Sequence, residues 1–175
     1  ETDIPTAELP IEDLIERRKA EFQREEHRHI ALQEVVIRIN IFGPIALSHF
    51  GDPHVDDPGS DIALLQRHMN ITRETPGMFA CNVGDAQNNW GARLSHLYAR
   101  QETKHDEAKR LVEWMLRSTE WLYLLGGNHD AWSGDNDPLQ WIIGKAGVKV
   151  SHFRYDGLRV CLLFPNGKKV YVNAR

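Results

Sequence analysis

The chain has 175 residues, 41% apolar and 26% charged, a balance that suits one globular domain with a real core. Its net charge of −4 excludes a strongly basic nucleic-acid footprint, but not a nucleic-acid substrate met through bound cations. No apolar run approaches the roughly 20 residues of a membrane span, the acidic start ETDIPTAELP is no signal peptide, and Cys81 and Cys161 sit in apolar runs as reduced, buried thiols rather than a disulfide framework.

Residues 11–28 read as a helix with Ile11, Leu14, Ile15 and Phe22 near one face and Pro10 at its start. EVVIRINIF, 34–42, reads as a strand broken by Gly43-Pro44. PIALSHFG is a short buried strand running into the polar DPHVDDPGSD. A helix over 61–74 presents Ile62, Leu65 and Met69, with Asp61 as its N-cap, and Pro76-Gly77 stops it. MFACNVG is a second buried strand with Asp85 at its end. A long helical stretch covers roughly 91–118, and WLYLLGG is a third buried strand that ends in Asn128-His129-Asp130. A short helix spans Pro138 to Ala146. VKVSHF, LRVCLLF and KVYVNA follow as strands, the last two joined by the turn Pro165-Asn166-Gly167. Alternating strands and helices in front predict a parallel sheet; consecutive strands behind predict antiparallel pairing. The chain is thus α/β, with residues 1–33 as an N-terminal helical extension of the domain 34–175.

Three buried strands therefore end in polar clusters: Asp52-Pro53-His54, Gly84-Asp85 and Gly127-Asn128-His129-Asp130. Sites in parallel sheets form at the carboxyl ends of strands, so strand polarity gathers groups that lie tens of residues apart. Carboxylate, imidazole and amide oxygen suit manganese, iron, zinc or magnesium. A central carboxylate such as Asp85 is able to bridge two such ions. Gly84, Gly126 and Gly127 allow close backbone approach after each strand. His129 stands where a general acid for a leaving oxygen is needed.

In this order and spacing the motifs D-x-H, GD and GNHD resemble the calcineurin-like metallophosphoesterase superfamily over residues 44–175. The resemblance implies two divalent metal ions and a metal-activated hydroxide. Asp52 and His54 then bind the first ion, Asp85 bridges, Asn128 binds the second and His129 acts on the leaving group. It also implies an αββα sandwich with mixed sheets, here cut short at the C-terminus, because the family's later GHxH has no counterpart. With an incomplete ligand set the expectation is partial metal occupancy and poor activity for this chain by itself. Protein serine/threonine phosphatases of the superfamily carry GDxxDRG; GDAQNNW places Asn88 where that Asp would stand, which weighs against that branch and makes Asn88 a candidate partner for His129.

Each of these residues alone is more often a strand-end cap or turn former; the joint pattern favours the site. Asp130 either orients a neighbour or caps the next turn. Trp90 and Trp132 either wall a substrate cleft or pack in the core. Asp56 and Asp57 read as loop charge, His49 as a satisfied core histidine, and Gly134-Asp135-Asn136-Asp137 as a turn. The resulting expectation is a cytoplasmic phosphodiesterase or phosphatase acting on a phosphate-ester substrate, with no membrane partner. Its rivals are a nuclease on the same scaffold and a non-catalytic interaction module. Substrate and assembly state stay open at this level.

Overall fold

The computed structural model describes residues 10–90, 92–131, 138–155 and 157–175, without the side chains of 27–33, 92, 93 and 138. Helix α1, Ile11–Gln33, leads directly into β1, Glu34–Arg38. Then come β2 (Ala46–Phe50), α2 (Ile62–Glu74), β3 (Met78–Asn82), a 3-10 helix (Ala92–Arg100), α3 (His105–Arg117) and β4 (Trp121–Gly126). A single turn, α4 (Asn128–Ala131), precedes α5 (Pro138–Lys145), β5 (Phe153–Tyr155), β6 (Leu158–Leu163) and β7 (Lys169–Ala174).

Two sheets form. The first has the order β2-β3-β4-β5 and is parallel throughout. The second has the order β1-β6-β7, with β1 parallel and β7 antiparallel to β6. The expected hairpin at Pro165-Asn166-Gly167 is present: Gly167 takes φ 78° and Asn166 Oδ1 accepts from Lys168 N at 3.0 Å. Two expectations fail. VKVSHF does not pair antiparallel; its end becomes β5 and continues the parallel sheet beside β4. The 91–118 helix is two elements, parted where the 3-10 helix stops at Arg100 and α3 begins at His105, with Glu107 accepting from the Lys104 amide at 2.8 Å. The strand expected over 34–42 ends at Arg38.

The first sheet is covered on both faces. Helices α2, α3 and α5 bring Met69, Val112, Met115, Leu139 and Ile142 onto one face, against Ala80, Trp121 and Leu124. On the other face Cys81, Tyr123 and Leu125 meet Leu158, Val160 and Leu162 of the second sheet. This explains why WLYLL is an unbroken apolar run: β4 is central in its sheet and buried on both sides. Burying Trp121 and Tyr123 almost wholly contributes roughly 2–3 kcal/mol each. The Cys81 thiol, also fully buried, is pushed up to about 12 by desolvation; both cysteines are free and buried, as expected. Helix α1 is mostly exposed, including Ile11, Ile15 and Phe22. Among the described residues no helix is long and apolar enough to cross a membrane.

Candidate metal centre

The β2–β3 ladder does not stop where the strands stop. Val83 N bonds Phe50 O, Asp52 N bonds Gly84 O at 3.2 Å, His54 N bonds Asp85 O at 3.1 Å and Val55 N bonds Ala86 O at 3.0 Å. The first two motifs are thus zipped together by backbone. The third motif docks on the second. The Asp85 carboxylate lies against the Cα of Gly127, so a Cβ there would collide with it, and a Cβ on Gly84 would come within 2.8 Å of Gly127 Cα. Gly126 lies against the ring of Tyr155 with no room for a side chain. The close approaches expected of these three glycines are therefore present.

Backbone strain gathers here. Among the described residues, four that are not glycine have positive φ: Asp52 (46°), His54 (35°), Asp85 (53°) and Asn89 (40°). All four lie in the loops that follow β2 and β3. Asp, Asn and His enter this region more often than other side chains do, but each does so at a cost. Such strain concentrates at functional sites, where the surroundings over-determine it.

The loops bring His54, Asp85 and His129 together, with one ligand atom from each inside 4.8 Å of the others. The His54 and His129 rings meet edge to face with centroids 4.8 Å apart. His54 Nδ1 is buried without a hydrogen-bond partner. Asp85 is 8% exposed and its Oδ1 accepts from His129 N at 2.9 Å. His129 Nδ1 lies 2.5 Å from the Asn88 carbonyl oxygen. A carbonyl has no proton to give, so Nδ1 carries the hydrogen and, in the neutral ring, Nε2 carries the lone pair. Asn88 is therefore the partner of His129, through its backbone rather than its side chain. Trp90, half-buried, meets the His129 ring edge to face at 5.4 Å. Asp52 is exposed and is not part of the trio; Asn128 is exposed at the first position of α4. Trp132 and residues 134–137 lie outside the described residues.

Two buried carboxylates hold the loops. Asp130 is fully buried, and its Oδ2 accepts from both Asp85 N and Gly127 N at 2.9 Å. Burial, with Asp85 nearby, raises its carboxyl to about 6 against these amides. Asp130 thus orients neighbours rather than merely capping the next turn. Asp56 is 2% exposed, which corrects its reading as loop charge. Its Oδ1 accepts from Asn88 N at 2.7 Å and its Oδ2 from Gln101 Nε2 at 2.8 Å. Nothing local in VDDPGSD distinguishes Asp56 from Asp57, so the sequence pattern missed it. Asp57 does lie at the loop surface, where the Asn88 amide and then the Gly59 amide hold its carboxyl below the usual range. His49 is also corrected: it is exposed at the sheet edge, though satisfied by Tyr123 Oη at 2.5 Å.

Among the described residues none of Asp56, Asp85 and Asp130 pairs with a lysine or arginine. Among the described residues, buried side-chain atoms without a partner include His54 Nδ1, Gln87 Oε1 and Asp130 Oδ1. The Asp85 carboxylate and the His54 ring, whose Nδ1 is bare, come together where a cation would satisfy them. Carboxylate and imidazole are the donors of a catalytic divalent site, which commonly uses about three protein ligands. By contrast, a cleft of about 710 Å³ at the other end of the sheet is lined by Arg73, Arg117 and Lys149. Arg73 and Arg117 occupy the last turns of α2 and α3, where cations offset the helix dipoles and need no ligand. No protein-family model matches the chain, and neither a curated protein nor a solved structure does.

Proposed function

We propose that the chain is a metal-dependent phosphoester hydrolase of the calcineurin-like kind, a phosphodiesterase or phosphatase with a metal centre at the carboxyl ends of β2, β3 and β4. The convergence of His54, Asp85 and His129 within 4.8 Å carries this reading. A sandwich of two sheets that share a core, with helices on the outer face of the first, is compatible with that fold. His54 and Asp85 would hold a divalent cation, to which the resemblance adds Asp52; for a second ion it adds Asn128, with Asp85 shared. Such cations supply Lewis acidity towards a phosphate ester and lower the pKa of bound water.

The chain's own residues do the rest. Asp85 presents its carboxylate in a fixed orientation, because its amide is held by Asp130 and its Oδ1 by the His129 amide. His129 keeps Nδ1–H on the Asn88 carbonyl, so Nε2 is the atom that takes up a proton and returns it to the leaving alcohol oxygen. Trp90 stands beside that ring and limits water on one side.

The test is hydrolysis of a chromogenic phosphodiester with manganese, run beside single-stranded and duplex DNA, for the native chain and for Asp85→Asn. Diester turnover lost in Asp85→Asn supports the reading, and preference for DNA moves it to a nuclease. Manganese and zinc titrations with no binding by the native chain refute it.

A further inference from the structure

We propose that Asp56 is a positioning residue for His129, acting through the main chain of Asn88 to fix which ring nitrogen bears the proton. The inference rests on the reading of His129 as the proton-transfer group of the metal centre and specifies how that group is set.

The chain of contacts is short. Asp56 is 2% exposed and lies two residues beyond His54. Its Oδ1 accepts from the Asn88 amide at 2.7 Å, a charge-assisted bond of the strong kind. Its Oδ2 is held by Gln101 Nε2 at 2.8 Å, which fixes the carboxylate plane. The Asn88 side chain is tied down as well, donating to Asp57 Oδ2 at 3.0 Å and to Gln101 Oε1 at 3.4 Å. Asn88 is thereby immobilised at its amide and its side chain, and its carbonyl points at His129 Nδ1 at 2.5 Å. The His129 main chain is pinned in turn, with its carbonyl accepting from Asn89 Nδ2 at 2.7 Å and its amide donating to Asp85. With both main chains fixed, the ring has one orientation in which Nδ1–H is satisfied.

A carbonyl differs from a carboxylate in this role. It accepts Nδ1–H and selects the tautomer, but it brings no full negative charge to stabilise an imidazolium. The negative charge sits one residue away, on Asp56, and acts on the peptide rather than the ring. Asn88 presents the carbonyl and Asp56 anchors the residue that carries it.

The experiment uses the metal-free full chain with ¹⁵N-labelled histidine, so it needs no activity. The native protein is expected to show His129 with a pyrrole-type Nδ1 and a pyridine-type Nε2, and an Asn88 amide strongly protected from hydrogen exchange. Asp56→Ala should lose the Nδ1–H preference by at least about fivefold, the weight of one net hydrogen bond. Asp56→Asn, whose carboxamide oxygen still accepts from Asn88, should restore it. A purely structural role would lower stability in Asp56→Ala and leave the tautomer ratio unchanged, which overturns the proposal. An Nε2–H tautomer or an unprotected Asn88 amide in the native chain overturns it too, even where Asp56→Ala does not fold. Failure of the hydrolase reading is separate: it shows as absent metal binding and turnover in a native protein whose tautomer is as stated.

Discussion

Gly127→Ala separates the geometry of the site from ordinary backbone effects, because the two predict opposite signs. Gly127 does not have a left-handed φ. On conformational grounds alone an alanine there would stabilise by about 0.4–1 kcal/mol, since it restricts the unfolded chain. The packing says otherwise. The new Cβ would overlap the Asp85 carboxylate, with Asp85 N at 2.5 Å and Cγ at 2.6 Å. Asp85 has nowhere to go: its amide is bonded to Asp130 and its carbonyl to the His54 amide. Either the β4 loop lifts, or the carboxylate rotates and gives up its bond from His129 N. Overpacking costs about 1–3 kcal/mol, and where the carboxylate also gives up its charge-assisted bond, worth about 1.5–3 kcal/mol, the loss reaches about 2.5–6 kcal/mol. Gly144→Ala is the control. Gly144 lies in α5 with nothing within 4 Å of a Cβ, and it should gain about 0.5–1 kcal/mol from helix propensity. Urea denaturation of both variants measures the difference, and calorimetric manganese titration reads the site. A Gly127→Ala protein as stable as the native one, with unchanged manganese affinity, would refute the docking of the third motif on Asp85.

Other outcomes follow from the same contacts. Manganese at about 100 times its Kd should stabilise the native chain by about 2.7 kcal/mol, raising Tm by about 5–10 °C for a domain of this size. Chelator should reverse the shift, and His54→Ala should abolish it in differential scanning fluorimetry. Asp130→Ala orphans two buried amides, from Asp85 and Gly127, at about 1–3 kcal/mol each. Asp130→Asn retains an acceptor oxygen, so chemical denaturation should find it at least about 2 kcal/mol more stable than the alanine variant. Burial, and secondarily Arg154, hold the His152 imidazole below its usual range. The unfolded chain then binds a proton that the folded chain refuses, so stability falls as pH drops through about 6.5. His152→Gln should flatten that part of the stability–pH curve, and an identical curve would exclude His152 as the cause.

The legible parts of this fold share a physical cause. The buried strands β3 and β4, and the more exposed edge strand β2, each run straight into a polar cluster, and parallel polarity alone puts those clusters at one end. Asp61 capping α2 by accepting from Leu64 N at 2.9 Å is equally local, as is the Pro165-Asn166-Gly167 turn. What the sequence hid depends on distant partners. The short end of VKVSHF joins β4 rather than β6 because Leu124 N finds His152 O, an accident of where the chain returns. Asp56 and Gln101 are 45 residues apart, so no window contains both. GNHD singles out His129, which the structure brings beside His54 and Asp85, but its orientation by a main-chain carbonyl was not legible, because main-chain groups leave no trace in a pattern of side chains.

The energetics of the strand-end loops argue for a cation independently of any motif. Three carboxylates, Asp56, Asp85 and Asp130, are each at most 8% exposed, and burying an ionised carboxylate costs several kcal/mol even after relaxation. Backbone amides offset much of this: Asp56 and Asp130 each hold at least one, and Asp85 accepts from His129 N. Amides are dipoles, however, and leave the net charge in place. Positive φ at His54 adds of order 1–3 kcal/mol. A chain selected for stability alone would relax both costs, with glycine at position 54 and a neutral amide at position 85. Charge and strain retained at one spot, with an imidazole nitrogen left bare beside them, form a site that a positive ligand would stabilise. Removing the charge without the shape, as Asp85→Asn does, should therefore make the metal-free protein more stable while abolishing its response to manganese. A variant less stable than the native chain in chelator would show that Asp85 serves the fold and not a cation.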